Sequence, residues 1–173
     1  SCRKLTNASV EALCRGAPLL ASRGLGGCCL LTDSALELLA RRLPLLSALR
    51  LPGLALATEA GFLALASGCP ALAELDVSQN AEGFTDRCVE ALVAGAARRA
   101  LTSLDASNCL GLTDAAARHL ARGGCSRSLR SLRLNCCVRV TAAGVVALAG
   151  ACPGLTELSL CRIRLSEEAA QRQ

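Results

Sequence analysis

Residues 69–92 read CPALAELDVSQNAEGFTDRCVEAL and contain two successive patterns. The first half has apolar residues at strand spacing, followed by an asparagine: Leu72, Leu75, Val77 and Asn80. Thr85 and Asp86 then open a segment with helical spacing. Two cysteines, Cys69 and Cys88, lie in the same stretch. The stretch is either a cysteine site or one unit of a repeat, and the rest of the chain decides between these interpretations.

The same pattern recurs along the chain. The leucine that begins each strand segment returns at intervals of 26–29 residues: Leu20, Leu46, Leu72, Leu101, Leu129 and Leu155. A Thr or Ser opens each helical segment in step with it: Thr6, Thr32, Thr58, Thr85, Thr113, Thr141 and Ser166. Self-similarity at a fixed period of about 20–50 residues indicates a solenoid. Residues 69–92 are therefore interpreted as one repeat unit.

Each unit contains one strand and one helix. The L-x-x-L-x-L segment has the period of two that a strand requires, and apolar residues four and seven positions after the Thr share one helix face. The Thr can cap the helix, and the acid after it suits the positive end of the helix dipole. The predicted fold is an α/β solenoid of about six repeats, with a parallel sheet on the concave face and helices on the convex face. Residues 1–173 form one array, which we expect to be part of a longer one because ordinary repeat positions occupy both ends.

Twelve cysteines in 173 residues would suit a secreted disulfide framework, but the repeat places them in apolar columns. Cys14, for example, aligns with four alanines and a valine. No C-x-x-C spacing occurs and His119 is the sole histidine, so zinc and redox sites are poorly supported. The sequence predicts reduced thiols in a cytoplasmic, or else nuclear, protein, with no metal and no cofactor.

One column, eight residues after the first strand leucine, is termed the turn column: Cys28, Leu54, Asn80, Cys109, Cys137 and Ile163. Backbone groups point inward where the chain leaves a strand and need partners there. An Asn amide can serve both kinds of group and a Cys thiol can donate weakly, so the turns at Leu54 and Ile163 are expected to be bonded differently. The cysteines of this column and Cys14 are predicted to be buried. Four others are predicted to react sooner with thiol reagents: Cys29, Cys88, Cys136 and Cys161.

The consensus C-P-x-L-x-x-L-x-L-x-x-[N/C]-x-x-[ILV]-T-D resembles the cysteine-containing leucine-rich repeats of F-box/LRR proteins. The segments that carry the match are Cys69-Pro70, Cys152-Pro153, Leu31-Thr32-Asp33, Phe84-Thr85-Asp86 and Leu112-Thr113-Asp114. Two positions depart from it, because Arg23 replaces a strand leucine and Ala142 replaces the acid. The resemblance implies a leucine-rich repeat fold that recognises protein substrates for a cullin-type ubiquitin ligase, whose core docks on an F-box. No F-box occurs within the chain, so that segment is expected outside it.

Nothing in the sequence indicates an enzyme. It contains no Gly-x-Ser-x-Gly, H-E-x-x-H or Walker pattern, and a solenoid offers a broad curved sheet rather than a catalytic pocket. The prediction is a non-enzymatic protein-binding module with no small-molecule substrate and no membrane segment. A general leucine-rich repeat scaffold or receptor array without a ubiquitin-ligase role stays open as the alternative.

A second hypothesis comes from an arginine-rich segment, residues 115–156. It holds six arginines and no acid: Arg118, Arg122, Arg127, Arg130, Arg133 and Arg139. It predicts an RNA-binding or acidic-partner surface, against the alternative of a solvated face. Only Arg130 and Arg133 are assigned to strands, so the arginines are expected to point in several directions. Aromatic stacking residues are absent from the segment, which argues against nucleic acid, and His119 is interpreted as a solvated helix residue.

The predicted binding site is the outward face of the sheet. One outward residue lies between the second and third apolar positions of each strand, and the middle of this row is charged: Arg50, Asp76, Asp105 and Arg133. With their neighbours these residues form the candidate face: Arg50, Glu74, Asp76, Ser103, Asp105, Ser131, Arg133, Asn135, Glu157 and Ser159. Patterned charge sets partner choice and association rate more than raw affinity. The sequence predicts a protein partner here, against the alternative of a sheet that is polar only for solubility.

Overall fold

The computed structural model describes residues 4–95 and 97–163, in which six helices and six strands alternate. The helices are α1 (Asn7–Gly16), α2 (Asp33–Arg42), α3 (Glu59–Gly68), α4 (Asp86–Ala94), α5 (Asp114–Arg122) and α6 (Ala142–Ala151). The strands are β1 (Ser22–Gly24), β2 (Ala48–Arg50), β3 (Glu74–Asp76), β4 (Ser103–Asp105), β5 (Ser131–Arg133) and β6 (Glu157–Ser159). None of the described helices is long and apolar enough to span a bilayer. Ser166, which was expected to open a further helix, lies outside the described residues.

The six strands form one parallel sheet in chain order. Its register is constant, because the middle residue of each strand pairs with the middle residue of the next: Arg23, Leu49, Leu75, Leu104, Leu132 and Leu158. Successive helices pack against one another in the same order. This arrangement confirms the predicted α/β leucine-rich repeat solenoid of about six repeats.

The core consists of stacked leucine layers. The first strand leucines of the inner repeats are fully buried: Leu46, Leu72, Leu101 and Leu129. Phe62 and Phe84 are also buried and meet edge to face, with ring centroids 5.5 Å apart, so both rings belong to the core. Each repeat buries its apolar face only against its neighbours, so stability is shared along the stack.

The turn column joins neighbouring repeats. Asn80 is 3% exposed, and its Nδ2 donates to Leu51 O at 2.9 Å and to Val77 O at 2.8 Å. Its Oδ1 accepts from the Leu54 N–H at 2.8 Å. One amide therefore satisfies the turn of its own repeat and that of the preceding repeat, which has no polar side chain of its own. The different bonding expected at Leu54 is confirmed, whereas that at Ile163 stays a prediction.

Cysteine performs part of this function in the next two repeats. Cys109 Sγ lies 3.2 Å from Val77 O, and Cys137 Sγ lies 3.2 Å from Ala106 O. Burial raises the pKa of Cys109 to about 12 and raises the pKa of Cys137 as well. Both thiols therefore stay protonated at neutral pH and can act as weak donors to a carbonyl of the preceding repeat.

The residue just before the turn column adopts a left-handed backbone in every repeat, with φ between 60° and 68°: Gly27, Gly53, Gln79, Asn108, Cys136 and Arg162. This conformation suits glycine and is strained for most other residues. It allows the inter-strand bonds to continue past the strand, as from Gly53 N to Ser78 O (3.0 Å) and from Gln79 N to Ser107 O (2.8 Å).

A second set of bonds joins the starts of successive helices and is termed the Thr–acid ladder. Asp86 Oδ1 accepts from the Thr113 N–H at 2.9 Å, and its Oδ2 accepts from the Thr113 hydroxyl at 2.6 Å. Asp33 makes the same two bonds to Thr58, and Asp114 makes them to Thr141. The acid after each Thr therefore binds the Thr of the next repeat, in addition to lying at a positive helix end.

The capping role predicted for the threonines is confirmed in three helices. The hydroxyls of Thr58, Thr113 and Thr141 accept from the N–H two residues later. Thr32 and Thr85 make no such bond. The Thr85 hydroxyl donates to Glu59 Oε1 of the preceding repeat at 2.7 Å.

Cys88 is fully buried, so the expectation that it reacts early is wrong. It lies three residues after Thr85, in a column of small residues that the repeat analysis overlooked: Ala35, Gly61, Cys88, Ala116 and Gly144. A Cβ at position 61 would lie 2.5 Å from Asp33 Oδ1, so this helix face lies too close to the preceding repeat for larger side chains.

The predicted burial of Cys14 and of the turn-column cysteines is confirmed. Cys161 is exposed and Cys29 and Cys136 are half-buried, and the labelling order of these three stays a prediction.

Arg23 takes the leucine position of β1, as expected. It pairs with Leu49, and its Nε is buried without a hydrogen-bond partner among the described residues. Leaving a buried polar atom unbonded costs roughly 1–3 kcal/mol. The first strand therefore forms in spite of this residue.

Candidate functional site

The constant register places the predicted site residues in two rows across the sheet. One row contains, in order, Arg50, Asp76, Asp105, Arg133 and Ser159, and the other contains Glu74, Ser103, Ser131 and Glu157. Arg50, Glu74, Arg133 and Glu157 are exposed and the rest are half-buried. Because alternate residues of a strand point to opposite faces, both rows lie on the face opposite the leucine layers. The structure brings these residues together, and whether they bind a partner stays a prediction.

The charges at the β5–β6 end of the face neutralise one another. Arg133 donates from Nη2 to Glu157 Oε1 at 2.6 Å and from Nε to the same oxygen at 3.1 Å, and Ser131 donates to Glu157 Oε2 at 2.8 Å. The hydrogen bond from Arg133, with that from Ser131, lowers the pKa of Glu157, and the bond to Glu157 raises the pKa of Arg133. Arg133 Nη1 also lies 3.9 Å from Asp105 Oδ2. The charged side chains at this end of the face are therefore already paired with one another.

The middle of the face is acidic and only partly neutralised. Asp76 and Asp105 are cross-strand partners, and Glu74 lies on the same face. Neither Glu74 nor Asp76 forms an ion pair with a described residue. Asp76 Oδ1 accepts from the N–H and hydroxyl of Ser78 at 3.0 and 2.7 Å, so its carboxylate is held in place. A depression of about 290 Å³ lies here, and it is lined by Ala48, Leu49, Arg50, Glu74, Leu75, Asp76, Ser103, Asp105 and Arg133.

Asn135 contributes to the fold as well as to the face. Its Oδ1 accepts from the Ser159 hydroxyl at 2.8 Å and from the Cys161 N–H at 2.7 Å. The oxygen is therefore engaged in joining two repeats. Only the remaining part of this side chain is left for a partner.

The outward face continues beyond the strands, which sequence reasoning missed. A second depression, of about 710 Å³, is lined by residues that include Gln79, Asn108 and Arg162. These three belong to the left-handed column. The glycines at positions 27 and 53 are the only sequence signal for that column, since four of its six members are not glycine.

The arginine-rich segment is distributed over several elements, as expected. Arg118 and Arg122 belong to α5, Arg127 lies in the connection to β5, and Arg139 precedes α6. The assignment of Arg130 to a strand is wrong, because β5 begins at Ser131. Arg130 instead lines a depression of about 620 Å³ together with Arg99 and Arg127, at the edge where helices lead into strands.

Few residues of the kind used in catalysis or metal binding lie close together in the described part of the chain. His119 is half-buried on α5. Within residues 4–95 and 97–163, no three His, Cys, Asp or Glu side chains lie close enough together to hold a metal ion. The chemistry that the described surface does present is charge and hydrogen bonding spread over a broad face.

Comparison with known proteins supports the fold. No protein-family model and no curated protein matches the chain. Among solved structures it is similar to a chain of the yeast Rad7–Elc1 complex, with a TM-score of 0.72 and 23% identity over 95% of this chain. It is also similar to the tropomodulin C-terminal domain of Caenorhabditis elegans, with a TM-score of 0.62, 13% identity and coverage of 84% of this chain and 92% of that domain. The chain spans about half (49%) of the length of the yeast chain. At these identities the similarities establish a shared repeat fold.

Proposed function

We propose that this chain is a non-enzymatic protein-interaction module whose partner binds the outward face of the sheet. The observation that carries the proposal is the acidic middle of that face, where Glu74, Asp76 and Asp105 converge on one depression. Arg50 and Arg133 also line this depression. Arg133 is engaged by Glu157, so the two arginines do not fully compensate the three carboxylates. Net negative potential at this point favours a basic side chain on the partner and disfavours an acidic one.

The finer proposal is substrate recognition for a cullin-type ubiquitin ligase in the cytoplasm or nucleus. Two observations support it: the resemblance of the repeats to those of F-box/LRR proteins, and the similarity of the fold to a chain of the Rad7–Elc1 complex. In this proposal the sheet holds the substrate, and a segment outside these residues holds the ligase core. The alternative is a scaffold or receptor array with the same sheet and no ligase.

Neutralising the acidic middle tests the coarse proposal. Asp76→Asn with Asp105→Asn removes both charges but keeps an oxygen that can accept from the Ser78 and Ser107 N–H groups. We expect this pair to lose most of the partner recovered in quantitative pull-downs, with an unchanged circular dichroism spectrum. Glu37→Gln with Glu90→Gln, on helices α2 and α4, is the matched control and should keep the partner. Loss of the partner by the helix pair and retention by the sheet pair would refute the site.

Co-purification distinguishes the ligase role from the scaffold role. The full-length protein should recover a cullin-type core, and the Asp76→Asn, Asp105→Asn pair should still recover it while losing the substrate. A partner that depends on the sheet, found without any ligase core, would favour the scaffold alternative. The two parts of the proposal therefore fail separately.

A further inference from the structure

The edge of the solenoid where helices lead into strands carries an uneven set of connections. In four repeats the connection has five residues: 17–21, 43–47, 69–73 and 152–156. In two adjacent repeats it has eight residues: 95–102 and 123–130. The longer connections hold four exposed arginines, and a fifth ends α5. These five residues are termed the basic edge: Arg98, Arg99, Arg122, Arg127 and Arg130.

The basic edge has no acidic counterpart. No Asp or Glu occurs in residues 91–104 or 115–156, and no ion pair joins these arginines to a described carboxylate. The helix dipole favours a cation in the last turn of a helix, by about 0.3–1 kcal/mol, which accounts for Arg122. It does not account for four more arginines in the connections, since they lie beyond the helix ends. Their mutual repulsion is a cost that an anionic ligand would remove.

The longer connections are anchored rather than loose. Each contains two buried residues, Ala97 and Leu101 in the first and Cys125 and Leu129 in the second. The Thr102 hydroxyl of the first connection donates to Ala73 O at 3.1 Å. In the second connection Gly124 N donates to Val93 O at 3.3 Å and the Ser128 hydroxyl donates to Leu101 O at 2.8 Å, so each connection is bonded to the repeat before it. Guanidinium groups on such a support lose less freedom when they bind.

Three of the arginines surround one depression. Arg99, Arg127 and Arg130 line it together with Gly123, Gly124, Ser126 and Ser128, and its volume is about 620 Å³. Arg130 Nη1 donates to Arg127 O at 3.0 Å, which holds its guanidinium at this site. Planar guanidinium groups bind carboxylates and phosphates through paired hydrogen bonds. The lining contains no aromatic ring on which a base could stack, and both phenylalanines of the chain are buried.

From these observations we infer that the basic edge is a second interaction surface, which binds an acidic segment of a protein partner at the depression between the two longer connections. The anionic groups it accepts are carboxylates or phosphorylated side chains. The surface lies on the connections and not on the outward face of the sheet, so it can be occupied while the face is occupied. It does not depend on the function proposed for that face.

Fluorescence anisotropy with labelled peptides tests the inference. A short glutamate-rich peptide and its phosphoserine counterpart serve as probes, and either should bind with an affinity that falls as salt rises. Arg99→Gln with Arg127→Gln should weaken binding on the order of tenfold, because two charge-assisted contacts are lost. Arg118→Gln with Arg139→Gln removes the same charge from exposed arginines outside the depression and should change binding less than about twofold.

A second variant separates position from charge. A Cβ at position 154 would collide with the Arg130 guanidinium, so Gly154→Ala should displace Arg130 and weaken peptide binding at unchanged net charge. Unchanged binding in this variant, or equal loss in the two arginine pairs, would overturn the assignment to the depression. Absence of binding to both peptides, or binding only to an RNA oligonucleotide or to anionic vesicles, would overturn the choice of partner.

Discussion

The two edges of the solenoid differ in how regular their connections are. At the edge where strands lead into helices, the turn column, the Thr–acid ladder or both bond the repeats of β1–β5 to one another, and Asn135 bonds the repeat of β5 to that of β6. At the opposite edge the connections differ in length, and the arginines gather on the two longest. The repeats are therefore alike where strands lead into helices and differ in length at the opposite edge.

Burial explains the contrast. Asn80 and the turn-column cysteines satisfy backbone groups that water cannot reach, so a change there leaves an unbonded polar group inside the protein. The longer connections have two buried residues each, and their arginines lie toward solvent. Insertions at such places are tolerated and commonly carry binding residues.

The strongest test of the contrast is Asn80→Ala. It would leave Leu51 O, Leu54 N–H and Val77 O without this partner, at a cost of about 2–4 kcal/mol in the free energy of unfolding. Cys109→Ala removes one weak thiol bond and should cost only about 1 kcal/mol. Urea denaturation followed by circular dichroism measures both, and equal costs would contradict the role given to the asparagine.

The second-largest loss of stability is expected from a substitution in the Thr–acid ladder. Asp86→Ala removes bonds to the Thr113 N–H, the Thr113 hydroxyl and the Ala116 N–H. Because these bonds reach a partly exposed carboxylate, we expect a loss of about 2 kcal/mol. Glu90→Ala on the exposed side of the same helix is the control and should change stability by less than about 0.5 kcal/mol. A loss in the control as large as in Asp86→Ala would mean that the ladder adds no stability.

A smaller effect is expected in the left-handed column. Gly53 has φ 66°, and the nearest atom to an added Cβ would be 3.7 Å away, so Gly53→Ala tests the backbone alone. It should cost about 1 kcal/mol. Gln79→Gly, at the same repeat position with φ 63°, removes that strain and should not destabilise the chain. Thermal unfolding should show a lower Tm for Gly53→Ala and no comparable decrease for Gln79→Gly, and equal decreases in the two variants would refute the conformational explanation.

The smallest effect on stability is expected at the basic edge. Arg127→Gln breaks no ion pair and lies on an exposed connection, so the free energy of unfolding should change by less than about 0.5 kcal/mol. The same variant should still weaken binding of the acidic peptide. A stability loss comparable to that of Asp86→Ala would show that the arginines support the fold, and the contrast between the edges would then be wrong.

The repeat in the sequence determined the architecture because a solenoid needs only local periodicity. Strand and helix spacings, a threonine at each helix start and a constant period are all readable along the chain, and each layer packs on the next without long-range choices. The outward rows of the sheet were readable for the same reason, since the side-chain period of a strand is two. The burial of Cys88 was missed because the close approach of neighbouring helices is a property of the stack.

Tertiary structure alone decided which polar groups meet. The bond from each acid to the next Thr spans 25–27 residues, and a single repeat can show only that the acid sits at a helix start. The neutralisation of Glu157 by Arg133, the open acidic middle beside it and the depression shared by Arg99, Arg127 and Arg130 all join residues of different repeats. Periodicity assigns each residue to a face, but the charge left uncompensated on that face depends on distances between repeats, which only the packed stack sets.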